Sequence, residues 1–101
     1  PRFQEDTYKL NMQKSAQFRA LASELGTSAS ALAIAWLLSQ GEHVVPIPGT
    51  RSVSHLDELV SGAGLSLSPT DLEAIEQALP VGWCCGDRYT ADQWRGPERY
   101  C

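Results

Sequence analysis

The residues best suited to chemistry are gathered in Gly49-Thr50-Arg51-Ser52, with His55 and Glu58 three and six positions beyond that serine. A guanidinium is a planar, bidentate donor matched to phosphate, and the Thr50 and Ser52 hydroxyls add two further donors. Before them runs Val44-Val45-Pro46-Ile47-Pro48, and after them Ser52 stands as N-cap to a helix carrying Val53, Leu56, Leu59 and Val60. A strand, a glycine turn and a helix start aim free backbone N–H groups and the positive end of the helix dipole at one point. The chemistry expected there is anion binding. His55, one turn into the helix, is placed to hydrogen-bond the same phosphate or to stack on a base. On these residues alone the plainer alternative stays open, in which Gly49 turns the chain, Ser52 caps the helix and Arg51 sits in water.

The elements that must position this turn follow from periodicity. Phe18, Leu21, Ala22 and Leu25 recur at helical spacing, so an amphipathic helix is expected over Asn11–Leu25 with Gly26 as its stop. Ser28 caps a second helix running to Gln40, closed by Gly41; it is apolar all round and so expected to be buried all round. Val44–Pro48, apolar on both faces, reads as a central strand of a parallel sheet, although Pro46 cannot donate to a ladder. Helices over Val53–Ala63, ending near Gly62-Ala63-Gly64, and over Pro69–Leu79 follow. In the second of these Ser68 is the cap, Pro69 the N1 proline and Asp71 the N3 acid. Residues 81–101 show no sustained period and read as a tail, either packed or mobile. Four helices and a single strand do not balance. One strand leaves its N–H and C=O groups without partners, at about 1–3 kcal/mol for each that is buried, so a larger βα architecture is expected.

Composition narrows the class. The 101 residues fit one small domain, and 43% hydrophobic with 20% charged excludes a disordered tail. Eight Lys and Arg against twelve Asp and Glu, net charge -4, provide no broad cationic face for nucleic acid. The longest apolar run, Ala31–Leu38, falls far short of the roughly 20 residues of a membrane-spanning helix. Neither nucleic acid nor membrane is therefore expected as a partner. No basic n-region with an apolar core opens the chain, and position 1 is Pro, so unless the terminus is processed a preceding segment is expected. Cys84, Cys85 and Cys101 all fall in the last fifth, unlike a disulfide framework, which fits a reducing cytoplasm. Cys84-Cys85 has neither CxxC spacing nor nearby His, so it reads as an unused thiol pair and not as a metal site. His43 reads as a solvated turn residue.

Pro46-Ile47-Pro48-Gly49-Thr50-Arg51, preceded by Leu32-Ala33-Ile34-Ala35-Trp36-Leu37-Leu38 and followed by Leu56-Asp57-Glu58, resembles the C-terminal part of an aldo-keto reductase. Pro1-Arg2-Phe3-Gln4 with Asn11, Leu67-Ser68-Pro69 with Leu72 and Ile75, and Gly86-Asp87-Arg88-Tyr89 extend the resemblance over nearly the whole chain, in the family's order. It implies an α/β fold, the C-terminal portion of a (β/α)8 TIM barrel. That portion is mostly helical with one parallel-type strand, so the barrel is incomplete. The whole of 1–101 then belongs to an NADP-dependent oxidoreductase domain, with 81–101 as its C-terminal loop. The helix before Gly26 corresponds to the extra helix after strand seven, the Trp36 helix to barrel helix seven and Val44–Pro48 to strand eight. Val53–Ala63 corresponds to barrel helix eight and Pro69–Leu79 to a second extra helix.

The resemblance further implies NADPH as cofactor and a small carbonyl compound as substrate. Ile47, Pro48, Gly49, Thr50, Arg51 and Ser52 become cofactor contacts, the turn 49–52 holding the 2′-phosphate with Arg51 as main cation. His55 and Glu58 fall near phosphate and adenine. Leu59 departs from the pattern, since members usually carry there an Asn that hydrogen-bonds adenine. The family's catalytic Asp, Tyr, Lys and His have no counterpart in this chain. Tyr8-Lys9 has suitable types for a Tyr acid aided by a Lys, but neighbours in sequence point different ways and the family has no such role there. The chain alone is therefore expected to be inactive, its partner being the missing N-terminal barrel segment. Trp83, Tyr89 and Trp94 resemble in placement the loop lining the substrate pocket, with simple packing of the tail as the alternative. A non-catalytic, barrel-derived accessory or interaction protein is the rival function, and a decayed reading frame a third.

Overall fold

Ser28, Ser52 and Ser68 each precede a helix, and the chain is built on the segments they open. A computed structural model describes residues 1–94; the end of the tail, with Cys101, lies outside them. The elements are α1 (Glu5–Glu24), α2 (Ala29–Ser39), α3 (Val53–Ala63) and α4 (Pro69–Ala78), with a single 3-10 turn at Ala91–Gln93. The four expected helices are present. α1 begins six residues earlier than its apolar period, because Glu5 and Asp6 suit the positive end of the helix dipole and Thr7 Oγ1 donates to the carbonyls of Pro1 and Gln4. Those turns are polar, so periodicity is blind to them.

Gly26 ends α1 in the left-handed region (φ 69°), where its N–H donates to the Ser23 carbonyl while the Thr27 N–H reaches back to Ala22. This pattern of two reaching-back bonds satisfies the last carbonyls of the helix and requires a residue without a Cβ penalty. Ser28 then caps α2 by accepting from the Ala31 N–H at 3.1 Å. The core lies where α1, α2 and α4 meet. Ala22, Leu32 and Ile75 are buried there, ringed by Phe18, Leu21, Leu25, Ala29, Trp36, Leu65 and Leu67. On its other side α2 packs closely on α3, with Gly62 buried against Ala31 and Ile34. Gly62 lies inside α3 and does not end it.

Two expectations are corrected. α2 is not buried all round: Ala31, Leu32, Ile34 and Ala35 are, but Trp36 and Leu37 are half-covered and Leu38 is exposed, since three partner helices cannot enclose it. More important, Val44–Pro48 forms no strand, and the described residues contain none, so they are helical and not α/β. A strand exists only through a ladder partner, and Pro46 and Pro48 have no N–H to give one. With no neighbouring strand, Val45 and Ile47 stand 77% and 93% exposed.

α4 shows how closely a local signal can be read. Ser68 Oγ accepts from the Asp71 N–H at 3.2 Å while the Asp71 carboxylate accepts from the Ser68 N–H at 2.8 Å, a reciprocal capping box under Pro69. Hydrogen bonds from the Ser68 hydroxyl and then its N–H hold the Asp71 carboxyl below its usual value. Since the folded state favours the charged form, this support is complete above the ordinary carboxylate range and is lost as pH falls through the lowered value. Far-UV circular dichroism should show acid fraying of α4 that Asp71→Asn abolishes, and Ser68→Ala should cost about 1 kcal/mol in chemical denaturation at neutral pH.

Candidate anion site at the start of α3

Val44–Pro48 carries the chain from α2 to the turn, and Ser52, in extended conformation (φ -125°, ψ 132°), sets the N-terminus of α3. Unlike Ser28 and Ser68, Ser52 does not cap its helix with its side chain. Its hydroxyl pairs instead with that of Ser54 at 2.8 Å. Thr50 Oγ1 accepts from the Ser52 N–H and donates to the Ser52 carbonyl, both at 3.3 Å. Three hydroxyls, those of Thr50, Ser52 and Ser54, thus cluster at the helix start. The first helical bond runs from the Leu56 N–H to Ser52, so the N–H groups of Val53, Ser54 and His55 have no acceptor among the described residues. That is the donor array an anion requires.

Arg51 is exposed and makes no ion pair or hydrogen bond among the described residues, so its guanidinium is available. Gly49, Thr50 and His55 are likewise exposed, and Glu58 is half-buried one further turn along, where its backbone carbonyl accepts from Ser61 Oγ. Ile47 projects almost wholly into solvent, whereas Pro48 helps to wall an apolar groove of about 260 Å³ between α2 and α3, with Pro46, Leu56 and Leu59. The structure thus brings Thr50 and Ser52 together, with Arg51 between them in sequence, and it keeps Ile47 apart. Sequence reasoning missed Ser54. A second serine at the N2 position, able to divert Ser52 from capping, was the available signal.

The other candidates separate cleanly. Lys9 pairs with Glu5 at 2.9 Å on the surface and Tyr8 is exposed, so neither forms an acid site with the other. His43 is an exposed turn residue. Trp83 and Trp94 line a cavity of about 590 Å³ with Arg2, Cys84, Asp87 and Arg88. Tyr89 packs edge-on against Trp94, ring centroids 5.3 Å apart, beneath the Arg88 guanidinium. The tail is packed over its described part, because Asn11 holds it to α1: Asn11 Nδ2 donates to the Cys85 carbonyl and Asn11 Oδ1 accepts from the Cys85 N–H.

With this geometry in place, comparison with known proteins decides the family. The family model described as Aldo/keto reductase family matches residues 1–80. The chain belongs to the aldo/keto reductase family. It is 39% identical over 89 residues to Probable aldo-keto reductase 1 of Glycine max, covering 88% of this chain and 26% of that one. It is 30% identical, over the same shares, to aldo-keto reductase yakc of Schizosaccharomyces pombe, whose name carries NADP(+). No solved structure matches. This aldo/keto reductase chain therefore spans about a quarter of the length of the curated relatives it matches. The fold of the family is a TIM barrel, and its general function is that of an oxidoreductase.

Proposed function

We propose that this chain is the C-terminal, NADPH-holding part of an aldo/keto reductase that reduces aldehydes and ketones in the cytoplasm. In this reading Val44–Pro48 is strand eight, awaiting the neighbours that would pair its backbone, α2 and α3 are barrel helices seven and eight, and α1 and α4 are the extra helices. The loops after strands seven and eight are where barrels of this class hold phosphate. The observation that carries the reading is the start of α3. There three uncommitted N–H groups and three hydroxyls gather next in sequence to Arg51, whose exposed side chain makes no ion pair or hydrogen bond among the described residues.

The residues fit the cofactor. Gly49, Thr50, Arg51 and Ser52 would hold its 2′-phosphate, with Ile47 and Pro48 flanking the turn and His55 and Glu58 reaching toward the phosphate and adenine. NADPH supplies the hydride when bound. What this chain does is bind and orient the adenosine end, because no residue in it matches the family's catalytic Asp, Tyr, Lys and His. Leu59, where an Asn is usual, gives adenine an apolar wall in place of an amide.

Two measurements test this. Titration of the complete reductase, followed by NADPH fluorescence, should show NADPH bound in strong preference to NADH, and equal affinities would overturn the phosphate assignment. The purified 101-residue chain should give no turnover of a simple aldehyde with NADPH. Robust turnover would overturn the division of labour proposed between this chain and the rest of the barrel.

A further inference from the structure

Cys84 and Cys85 lie beyond the residues matched by the family model and take no part in the cofactor reading. Both are free, half-buried thiols. The backbone of Cys85 is clamped on both sides by one amide: its N–H donates to Asn11 Oδ1 at 2.7 Å, and its carbonyl accepts from Asn11 Nδ2 at 2.9 Å. The same Nδ2 donates to the Arg2 carbonyl at 3.2 Å, so the N-terminal segment and the start of the tail meet at this side chain. Cys84 Sγ leans over its neighbour, 4.0 Å from the Cys85 carbonyl oxygen, and lines the 590 Å³ cavity whose walls carry Arg2 and Arg88 against Asp87.

We propose that Cys84 and Cys85 are a redox pair that closes to a vicinal disulfide when a small anionic disulfide of the glutathione type enters the cavity, and that closure unlatches the tail from Asn11. Among the described residues that line the cavity are Arg2 and Arg88, whose guanidinium groups are donors suited to the carboxylates of such an oxidant. The Cys84 thiolate attacks one sulfur of the oxidant and expels a thiolate. The Cys85 thiolate then attacks Cys84 Sγ and expels the second. Two cysteine S–H bonds are lost and one S–S bond forms; the two electrons and two protons leave as two molecules of the reduced thiol.

The coupling to Asn11 is geometric. Adjacent Cα atoms are about 3.8 Å apart across a trans peptide, shorter than the roughly 4.4–6.8 Å of ordinary disulfides, so the ring closes only by distorting the single peptide between the two residues. The N–H of that peptide is the group Asn11 Oδ1 holds. The latched state therefore favours the dithiol, and the oxidised state favours a released tail.

The test uses the full chain carrying Cys101→Ser, equilibrated in glutathione buffers, alkylated and weighed intact, with amide hydrogen exchange read at Cys85. Both thiols should disappear together, leaving a chain two hydrogens lighter with no adduct, and the Cys85 amide should exchange at least ~5-fold faster, the ratio set by losing a bond of about 1 kcal/mol or more. A stable glutathione adduct on either cysteine, or an oxidised chain whose Cys85 amide stays protected, would overturn the proposal. Cys85→Ser, which leaves Asn11 its backbone partners, should instead stop at a glutathione adduct on Cys84; failure to form one counts against Cys84 as the entry point. Asn11→Ala should shift the oxidation midpoint toward the disulfide by about fivefold, and an unmoved midpoint removes the latch.

Discussion

Gly62→Ala should destabilise the chain by about 1–2 kcal/mol, although alanine is the better helix former. A Cβ at Gly62 would meet the Ala31 carbonyl oxygen and come within 2.9 Å of both Ala31 Cα and Ile34 Cβ. Two of those three atoms are backbone of α2, so nothing can swing aside and the helices must separate. Helix propensity returns up to about 1 kcal/mol for the exchange, whereas overpacking a close-packed contact costs about 1–3 kcal/mol. The contact wins. In a domain of this size a loss of 1 kcal/mol lowers Tm by roughly 4–8 °C. Gly64→Ala is the control, since a Cβ there has only the Ser61 carbonyl at 3.8 Å and the backbone conformation is ordinary. Thermal unfolding should therefore lower Tm for Gly62→Ala alone; two variants of equal stability would show that α2 and α3 do not approach so closely.

The same pair of helices shows what the sequence can and cannot say. Ser28, Ser68, Pro69, Asp71 and Gly26 act within a few residues of themselves, and each was legible because its effect is local hydrogen bonding or a local φ. Gly62 was not, since in sequence a glycine near a helix end means a stop, and only the approach of Ala31 from another helix gives it a packing role. Ser52 was half legible: its position as N-cap follows from the sequence, while the diversion of its hydroxyl to Ser54 depends on a competition that spacing does not resolve. Val44–Pro48 marks the opposite limit. Its β-branched, two-faced apolar pattern is that of a strand needing partners on both sides, and without them Val45 and Ile47 remain in solvent while Leu56 and Val60 leave an apolar groove open beside them. The imbalance between helices and strand was readable; the conformation of the strand segment without its neighbours was not, because strand structure is a property of the pair.

That exposed segment delivers Arg51 to the start of α3, and the largest functional effect follows from it. In the complete reductase Arg51→Ala should weaken NADPH binding by roughly 10- to 150-fold, the range that corresponds to about 1.5–3 kcal/mol for hydrogen bonds to a charged group. NADH lacks the 2′-phosphate, so its dissociation constant should change by no more than about twofold. The difference between the two cofactors is the decisive quantity, since a mutation that merely disturbed the turn would weaken both. Arg51→Lys should fall between, because an ammonium keeps the charge and loses the planar two-pronged donor. Added salt should erode the NADPH preference of the natural protein more than that of Arg51→Ala, since Arg51 is exposed and screening acts on exposed charge. The hydroxyls of Thr50 and Ser52 and the free amides of α3 remain after Arg51 is removed, so some preference for the phosphorylated cofactor should survive. Equal losses for NADPH and NADH would move the phosphate away from this turn and leave the start of α3 as an uncapped helix end with no ligand.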